Sequence, residues 1–158
     1  MMRQLVLTLL LTVNLVTTGG DWSPFLPFMG SWSGTRTTSS GKVAVTRDYE
    51  PVDNNQRLLV SDRVGSSRTP WGLLSFDSDR GSFVLRRFAG DGSTADLVLK
   101  DVTDGGATLV FDAGSDNGGN VERITHQRHG SNEFVERVES GRGTSFTLVS
   151  ETQFRRKK

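Results

Sequence analysis

The sequence predicts an all-β domain, an antiparallel meander of about ten strands closed into a barrel and preceded by a short N-terminal helical turn. From Gly30 onward, β-branched and aromatic runs recur at a spacing of about 8–12 residues, as in sandwiches and barrels. No stretch there keeps a helical period of apolar residues. So many strands without covering helices would leave exposed sheet edges, and closure of the sheet removes them.

The strands are separated by turn-forming residues, for example "DSDRG" at Asp77 to Gly81 and "SDNGGN" at Ser115 to Asn120. Glycine adopts positive φ at little steric cost, and Asn and Asp form local side-chain turns. Short turns of this kind join antiparallel neighbours. The predicted strands are roughly Gly30 to Thr38, Lys42 to Glu50, Arg57 to Val64, Trp71 to Phe76, Ser82 to Ala89, Ala95 to Lys100, Ala107 to Asp112, Val121 to Arg128, Glu133 to Ser140 and Thr144 to Arg155.

Alternation along the strands predicts one apolar face and one polar face. The apolar face is expected to face the barrel interior, and a wide antiparallel barrel can keep space there for a small molecule. The residues that define this face share parity within their strands: Val43, Val45 and Tyr49; Phe83 and Leu85; Leu97 and Leu99; Phe146, Leu148 and Phe154.

The first twenty residues have the pattern of a signal peptide. Arg3 precedes a largely apolar stretch at 5–16, and small residues follow at 17–20, with cleavage expected near Gly19 or Gly20. A stretch this short falls below the ~20 apolar residues of a spanning helix, so no membrane span is expected. We therefore expect a secreted or periplasmic protein with one barrel domain at 21–158. The alternative is a first strand or an apolar tail.

The charge balance argues against nucleic-acid binding. The full chain has a formal net charge of +1, and four of its bases form the C-terminal run Arg155 to Lys158. The rest of the predicted mature chain is mildly acidic, whereas nucleic-acid-binding domains are usually basic. The chain contains no cysteine, which excludes disulfides and thiolate chemistry.

Catalytic and metal-binding patterns are weak. No Gly-x-Ser-x-Gly elbow occurs, so a serine hydrolase is not indicated. His126 and His129 are expected to point to different faces, which is unlike two ligands of one metal. The "DSDRG" turn lacks the rest of a calcium loop, so a hairpin turn explains it better. The sequence predicts no catalytic residue, metal site or cofactor.

The segment "FLPFM" followed by "GSW" at Gly30 to Trp32 resembles the start of lipocalin-like (calycin-type) barrels. "YEPVDNNQRLLV", "WGLLSFDSDRGSFVLRRF" and "TQFRRK" extend this resemblance to a poorly characterised family of mostly secreted bacterial lipocalin-like proteins. It implies that Trp32 closes the barrel floor with a basic residue of the last strand across it, either Arg156 or Arg155.

The related nitrobindins bind haem through a histidine on a late strand. Here the corresponding stretch, Thr144 to Phe154, has no histidine. That departure argues against haem as a cofactor of this chain. His126 lies two strands earlier and is a weaker candidate ligand.

Basic and aromatic residues on the otherwise apolar faces of the predicted strands indicate a site that binds a small molecule. The candidate ligand-binding residues are Arg47, Tyr49, Trp71, Arg87 and Arg123. An arginine inside a barrel needs an anion or a dense shell of hydrogen-bond acceptors. Cavities of the barrels that this sequence resembles often use arginine to hold a carboxylate-headed ligand, so an apolar or acid-headed ligand is expected. In the alternative, these arginines turn outward or pair with carboxylates such as Asp48, Asp62, Glu122 or Glu136.

The function predicted from the sequence is non-catalytic binding of a small molecule. Two alternatives stay open: an enzyme on the same scaffold, such as an isomerase or hydrolase, and a structural or interaction barrel filled by its own side chains. The sequence predicts no oligomeric state.

Overall fold

The computed structural model describes residues 19–113 and 119–158, and it confirms the predicted fold class. Ten antiparallel strands follow one another as a meander, and pairing of the first with the last closes the barrel. The strands are β1 Gly30–Thr38, β2 Gly41–Val52, β3 Arg57–Val64, β4 Ser67–Asp77, β5 Ser82–Phe88, β6 Thr94–Thr103, β7 Thr108–Ala113, β8 Val121–Arg128, β9 Glu133–Arg142 and β10 Ser145–Arg156. Within the described ranges, no helix has the length and apolar character needed to cross a membrane.

The predicted helical turn is present as a single 3-10 turn at Leu26–Phe28, with Pro27 in its first turn. The segment Trp22–Phe28, called here the plug, bends back on itself through hydrogen bonds from the Phe25 and Phe28 amides to the Trp22 and Phe25 carbonyls. Its three aromatic side chains are at most 7% exposed. The plug therefore closes the barrel end at which β1 begins and β10 ends. The predicted signal peptide lies almost wholly outside the described residues, which begin at Gly19.

Closure of the barrel brings β1 between β2 and β10. Gly34 pairs with Val45 on one side and Phe154 on the other. A Cβ at Gly34 would lie 2.5 Å from the Gln153 carbonyl oxygen and 2.8 Å from a Phe154 ring carbon. Glycine is needed here because the Phe154 ring folds over the position that a side chain would occupy.

The prediction that Phe146 and Leu148 share a face with Phe154 is wrong. A register shift between Leu148 and Ser150 interrupts the alternation along β10, because a bulge adds one residue. Leu148 is 52% exposed, whereas Phe154 is 1% exposed. The apolar interior face of β10 therefore begins after the bulge.

Several strands are longer than predicted, and β4 is one of them. It begins at Ser67, four residues before the predicted start at Trp71, and it contains Pro70. A register shift between Val60 and Ser61 occurs where Pro70 pairs with β3. Proline is compatible with a strand at such a bulge, where a ladder hydrogen bond is already missing.

Candidate functional site

The interior next to the plug is an apolar chamber that is nearly full. A void of about 20 Å³ lies at its centre, which is room for about one water molecule. Most of the lining is aliphatic or aromatic, and Tyr49 and His126 give it a polar border. The residues around the void are Phe25, Phe28, Tyr49, Leu58, Val60, Trp71, Leu74, Leu85, Leu109, Phe111 and His126.

A buried group of ionisable side chains adjoins this chamber. We call Arg47, Asp62, His126 and Glu136 the buried ion cluster, and each is at most 4% exposed. The Arg47 guanidinium donates from Nε and Nη2 to the two Asp62 oxygens, at 2.6 and 3.0 Å, and from Nη1 to Glu136 Oε2. His126 Nε2 lies 2.8 Å from the same Glu136 oxygen. The cluster therefore links β2, β3, β8 and β9 across the interior.

The charges in this cluster stabilise one another. Burial by itself would raise the pKa of Glu136, but the Arg47 guanidinium and the His126 hydrogen bond hold that pKa well below its usual range. Arg36 on β1 also donates to Asp62. Two guanidinium groups thus face two carboxylates, and Glu136 stays ionised in the barrel interior.

Three buried polar atoms beside the cluster have no hydrogen-bond partner among the described residues: the Tyr49 hydroxyl, Glu136 Oε1 and Thr152 Oγ1. Burial raises the pKa of the Tyr49 hydroxyl well above its usual range, despite the neighbouring Arg47 guanidinium. Tyr49 is therefore neutral and can both donate and accept. Buried polar groups in folded proteins are usually paired, so a polar molecule that reached any of these atoms would supply a missing hydrogen bond.

Trp71 lies between two arginines. The Arg47 guanidinium carbon is 4.0 Å from the Trp71 ring centroid, and that of Arg87 is 4.4 Å from it. Arg87 also contacts Glu122 Oε1 at 3.3 Å and the Trp71 carbonyl oxygen at 3.4 Å. Four of the predicted ligand-binding residues therefore lie on the inner side of the barrel: Arg47, Tyr49, Trp71 and Arg87. Both arginines pair with carboxylates of the protein, Arg47 with Asp62 and Glu136 and Arg87 with Glu122, as the alternative interpretation of the sequence expects.

Arg123, the fifth predicted ligand-binding residue, lies on the outer face. Its strand neighbour Ile124 is fully buried, so β8 turns Arg123 away from the interior. Arg123 donates to both Asp112 oxygens, at 2.7 and 3.0 Å, and stacks 4.0 Å from the Phe146 ring centroid. Its predicted role in ligand binding stays a prediction, and this position lends it no support.

The two residues assigned to the barrel floor hold the plug in place. The Arg156 guanidinium carbon lies 4.2 Å from the Trp32 ring centroid. Arg156 donates to the Met29 and Pro27 carbonyls at 2.8 and 2.6 Å, and Trp32 Nε1 donates to the Phe28 carbonyl at 2.7 Å. Arg155, the other candidate, has an 80% exposed side chain that pairs with Glu133.

In the sequence, His126 is an isolated histidine and Glu136 only a possible arginine partner. Both alternate with buried apolar residues, namely Ile124 on β8 and Phe134 and Val138 on β9. That alternation was the available signal that they face inward. Within the described ranges, no group of three or more His, Asp or Glu side chains is placed to hold a metal ion.

No protein-family model matches this sequence, and no curated protein matches it. Among solved structures, the chain is similar to an S-type phycobiliprotein lyase from Guillardia theta, with 12% identity, a TM-score of 0.50, and coverage of 85% of this chain and 90% of that chain. At this identity the similarity shows the fold alone, a lipocalin-like barrel.

Two designed proteins are also similar. One is a redesigned β-barrel, with 12% identity, a TM-score of 0.42, and coverage of 89% of this chain and 100% of the other. The second is a de novo designed fluorescence-activating β-barrel, with 16% identity, a TM-score of 0.39, and coverage of 87% and 99%.

Proposed function

We propose that this chain is a non-catalytic, lipocalin-like binding protein that takes one small, largely apolar molecule into its barrel interior. The observation that carries the proposal is an apolar chamber whose lining includes Tyr49, a residue with a buried hydroxyl that lacks a partner among the described residues. Small-molecule sites typically combine a mostly apolar lining with a few fixed polar groups.

The ligand would enter by displacing the plug. Phe25 and Phe28 line the void directly, so a ligand in the chamber takes the place of these rings. The plug leads directly into β1 and belongs to no strand, so its release breaks none of the strand pairings that close the barrel. Exposure of each ring costs about 1.5–3 kcal/mol, and a ligand that covers the same apolar lining offsets this loss.

Binding of the neutral fluorescent probe N-phenyl-1-naphthylamine to the full chain tests the proposal. Phe25→Ala removes one ring that must move, so we expect it to bind the probe about tenfold more tightly than wild type, following 1.4 kcal/mol per decade. Leu26→Ala is the matched control, because Leu26 lies in the same turn but is 47% exposed. Failure of both wild type and Phe25→Ala to bind the probe would refute a ligand chamber.

One observation favours a second function, that of a structural or interaction barrel with no ligand. The void of about 20 Å³ shows that the described side chains nearly fill the chamber. On this alternative, Phe25→Ala only destabilises the protein, and mass spectrometry of the natively purified protein detects no bound small molecule. A defined molecule that copurifies with the wild type supports the binding function.

We also propose that the protein is secreted or periplasmic and belongs with the secreted bacterial lipocalin-like proteins that it resembles. The support is the signal-peptide pattern at 1–20 and the Gly-x-Trp start of β1. N-terminal sequencing of the protein exported by its native host is expected to find a new N-terminus near Gly19 or Gly20. Retention of Met1 would contradict the export proposal.

A further inference from the structure

We infer that the barrel interior selects a ligand whose polar end donates a hydrogen bond, such as an alcohol or a carboxamide, over one that ends in an ionised carboxylate. The inference rests on the proposed function, because it names the ligand class for the same interior. Some polar groups of that interior already have ion-pair or hydrogen-bond partners and others have none, and the preference follows from this difference.

The arginines that point inward are already neutralised. Arg47 contacts two carboxylates, those of Asp62 and Glu136, and Arg36 contacts Asp62 as well. Arg87 pairs with Glu122. A ligand carboxylate would therefore displace a carboxylate of the protein or add a further negative charge beside Glu136, and burial makes either arrangement unfavourable.

One of the groups without partners, Glu136 Oε1, requires a hydrogen-bond donor. Glu136 Oε1 is an ionised acceptor in a side chain that is 1% exposed, and it lacks a partner among the described residues. The Tyr49 hydroxyl lies, like Glu136, beside the Arg47 guanidinium, and because arginine only donates, the hydroxyl proton of Tyr49 has no acceptor among the described residues. A ligand hydroxyl can donate to Glu136 Oε1 and accept from Tyr49, whereas an ionised carboxylate can only accept.

The position of these groups fits the polar end of a ligand whose chain fills the chamber. Tyr49 and His126 border the void, and Glu136 is bonded to His126. The Phe28 ring centroid lies 6.1 Å from that of Tyr49 and 5.6 Å from that of His126. Displacement of Phe28 would thus uncover the polar side of the chamber to the head group of an incoming molecule.

Competition on the full chain tests the head-group preference. N-phenyl-1-naphthylamine is bound first and then displaced, near neutral pH, by 1-dodecanol, dodecanamide or dodecanoate. We expect the alcohol and the amide to compete at least tenfold more strongly than the acid. Tyr49→Phe removes only the hydroxyl, so it should weaken 1-dodecanol about fivefold or more and leave dodecanoate nearly unchanged.

Glu136→Gln should reduce the alcohol-over-acid preference to about threefold or less, because the charge that repels the acid is gone. Glu151→Gln is the matched control: Glu151 also pairs with an arginine, Arg137, but on the outer face, with its side chain 29% exposed. Tyr49→Phe keeps the inference testable if Glu136→Gln does not fold.

Three outcomes would overturn the inference. Dodecanoate could compete as strongly as 1-dodecanol in the wild type, Glu136→Gln could keep the wild-type preference, or Tyr49→Phe could bind 1-dodecanol as the wild type does. In each case the probe is still bound and displaced, so the proposed binding function stands. Absence of probe binding from wild type and Phe25→Ala together would instead refute the proposed function.

Discussion

Replacement of Arg47 by methionine is expected to destabilise the fold strongly, because the substitution keeps much of the stem volume but removes a fully buried cation. Arg47 is 0% exposed and holds both Asp62 and Glu136. Removal of one partner from a buried ion pair costs about 3–5 kcal/mol, since the remaining charge is left without compensation. With an m-value of about 2 kcal/mol/M, the urea midpoint would fall by about 2 M.

Arg123→Met is the matched control for this prediction. Arg123, like Arg47, makes a two-pronged contact with an aspartate and stacks on an aromatic ring. Its pair with Asp112 is partly solvated, with side chains 33% and 21% exposed. Exposed pairs contribute about 0.2–1 kcal/mol, so Arg123→Met should shift the urea midpoint only slightly.

Urea melts of the wild type, both single variants and Arg47→Met/Glu136→Gln measure the difference. The double variant should be more stable than the sum of the single losses predicts, because it removes the buried charge that Arg47→Met leaves behind. If Arg47→Met were within about 1 kcal/mol of Arg123→Met, burial would not be what distinguishes the two arginines, and the reasoning would be wrong.

Three further predictions concern the acid response, the floor and the closure of the barrel. Because the folded protein holds the pKa of Glu136 below its unfolded value near 4.5, its ionisation stabilises the fold above about pH 4.5, and this contribution is lost as the pH falls further. Urea midpoints of Glu136→Gln should thus fall less steeply below that pH than those of the wild type, and parallel curves would contradict this. Trp32→Ala should cost about 3–5 kcal/mol in urea melts, since the ring is 1% exposed, and a loss below about 1 kcal/mol would contradict its buried position. Gly34→Ala should cost about 1–3 kcal/mol by overcrowding, whereas Gly90→Ala, with no atom within 4 Å of the added Cβ, should be nearly neutral, and equal melts would contradict the close approach at Gly34.

Alternation along single strands was enough to predict the barrel and part of its interior. On β2, Arg47 lies between Val45 and Tyr49 in an unbroken alternation, and all three side chains face inward. The same method failed on β10, where the bulge after Leu148 reverses the faces without a distinctive sequence signal. It also failed to place Arg123, because both faces of β8 contain polar residues.

The buried ion cluster could not be predicted from local pattern, because its partners are distant in the sequence. Arg47 and Glu136 are 89 residues apart, and their contact depends on how the strands tilt and stagger around the barrel. Alternation shows that each side chain faces inward, but it does not show which side chains meet there. The sequence predicted the helical turn of the plug, but the contacts of its aromatic rings inside the barrel could not be predicted, because these residues follow no strand period.

Two kinds of interaction border the apolar chamber, and they differ in what their loss would cost. On one side, the buried ion cluster connects four strands, and its disruption would leave charges without compensation inside the barrel. On the other side, the plug is held by aromatic contacts and by hydrogen bonds from Trp32 and Arg156 to main-chain carbonyls. When the plug leaves, water can pair with those carbonyls and a ligand can cover the uncovered rings, so every group finds a replacement partner. The proposed route into the chamber therefore runs past the plug, and departure of Phe28 would uncover Tyr49 and His126 together with the apolar lining.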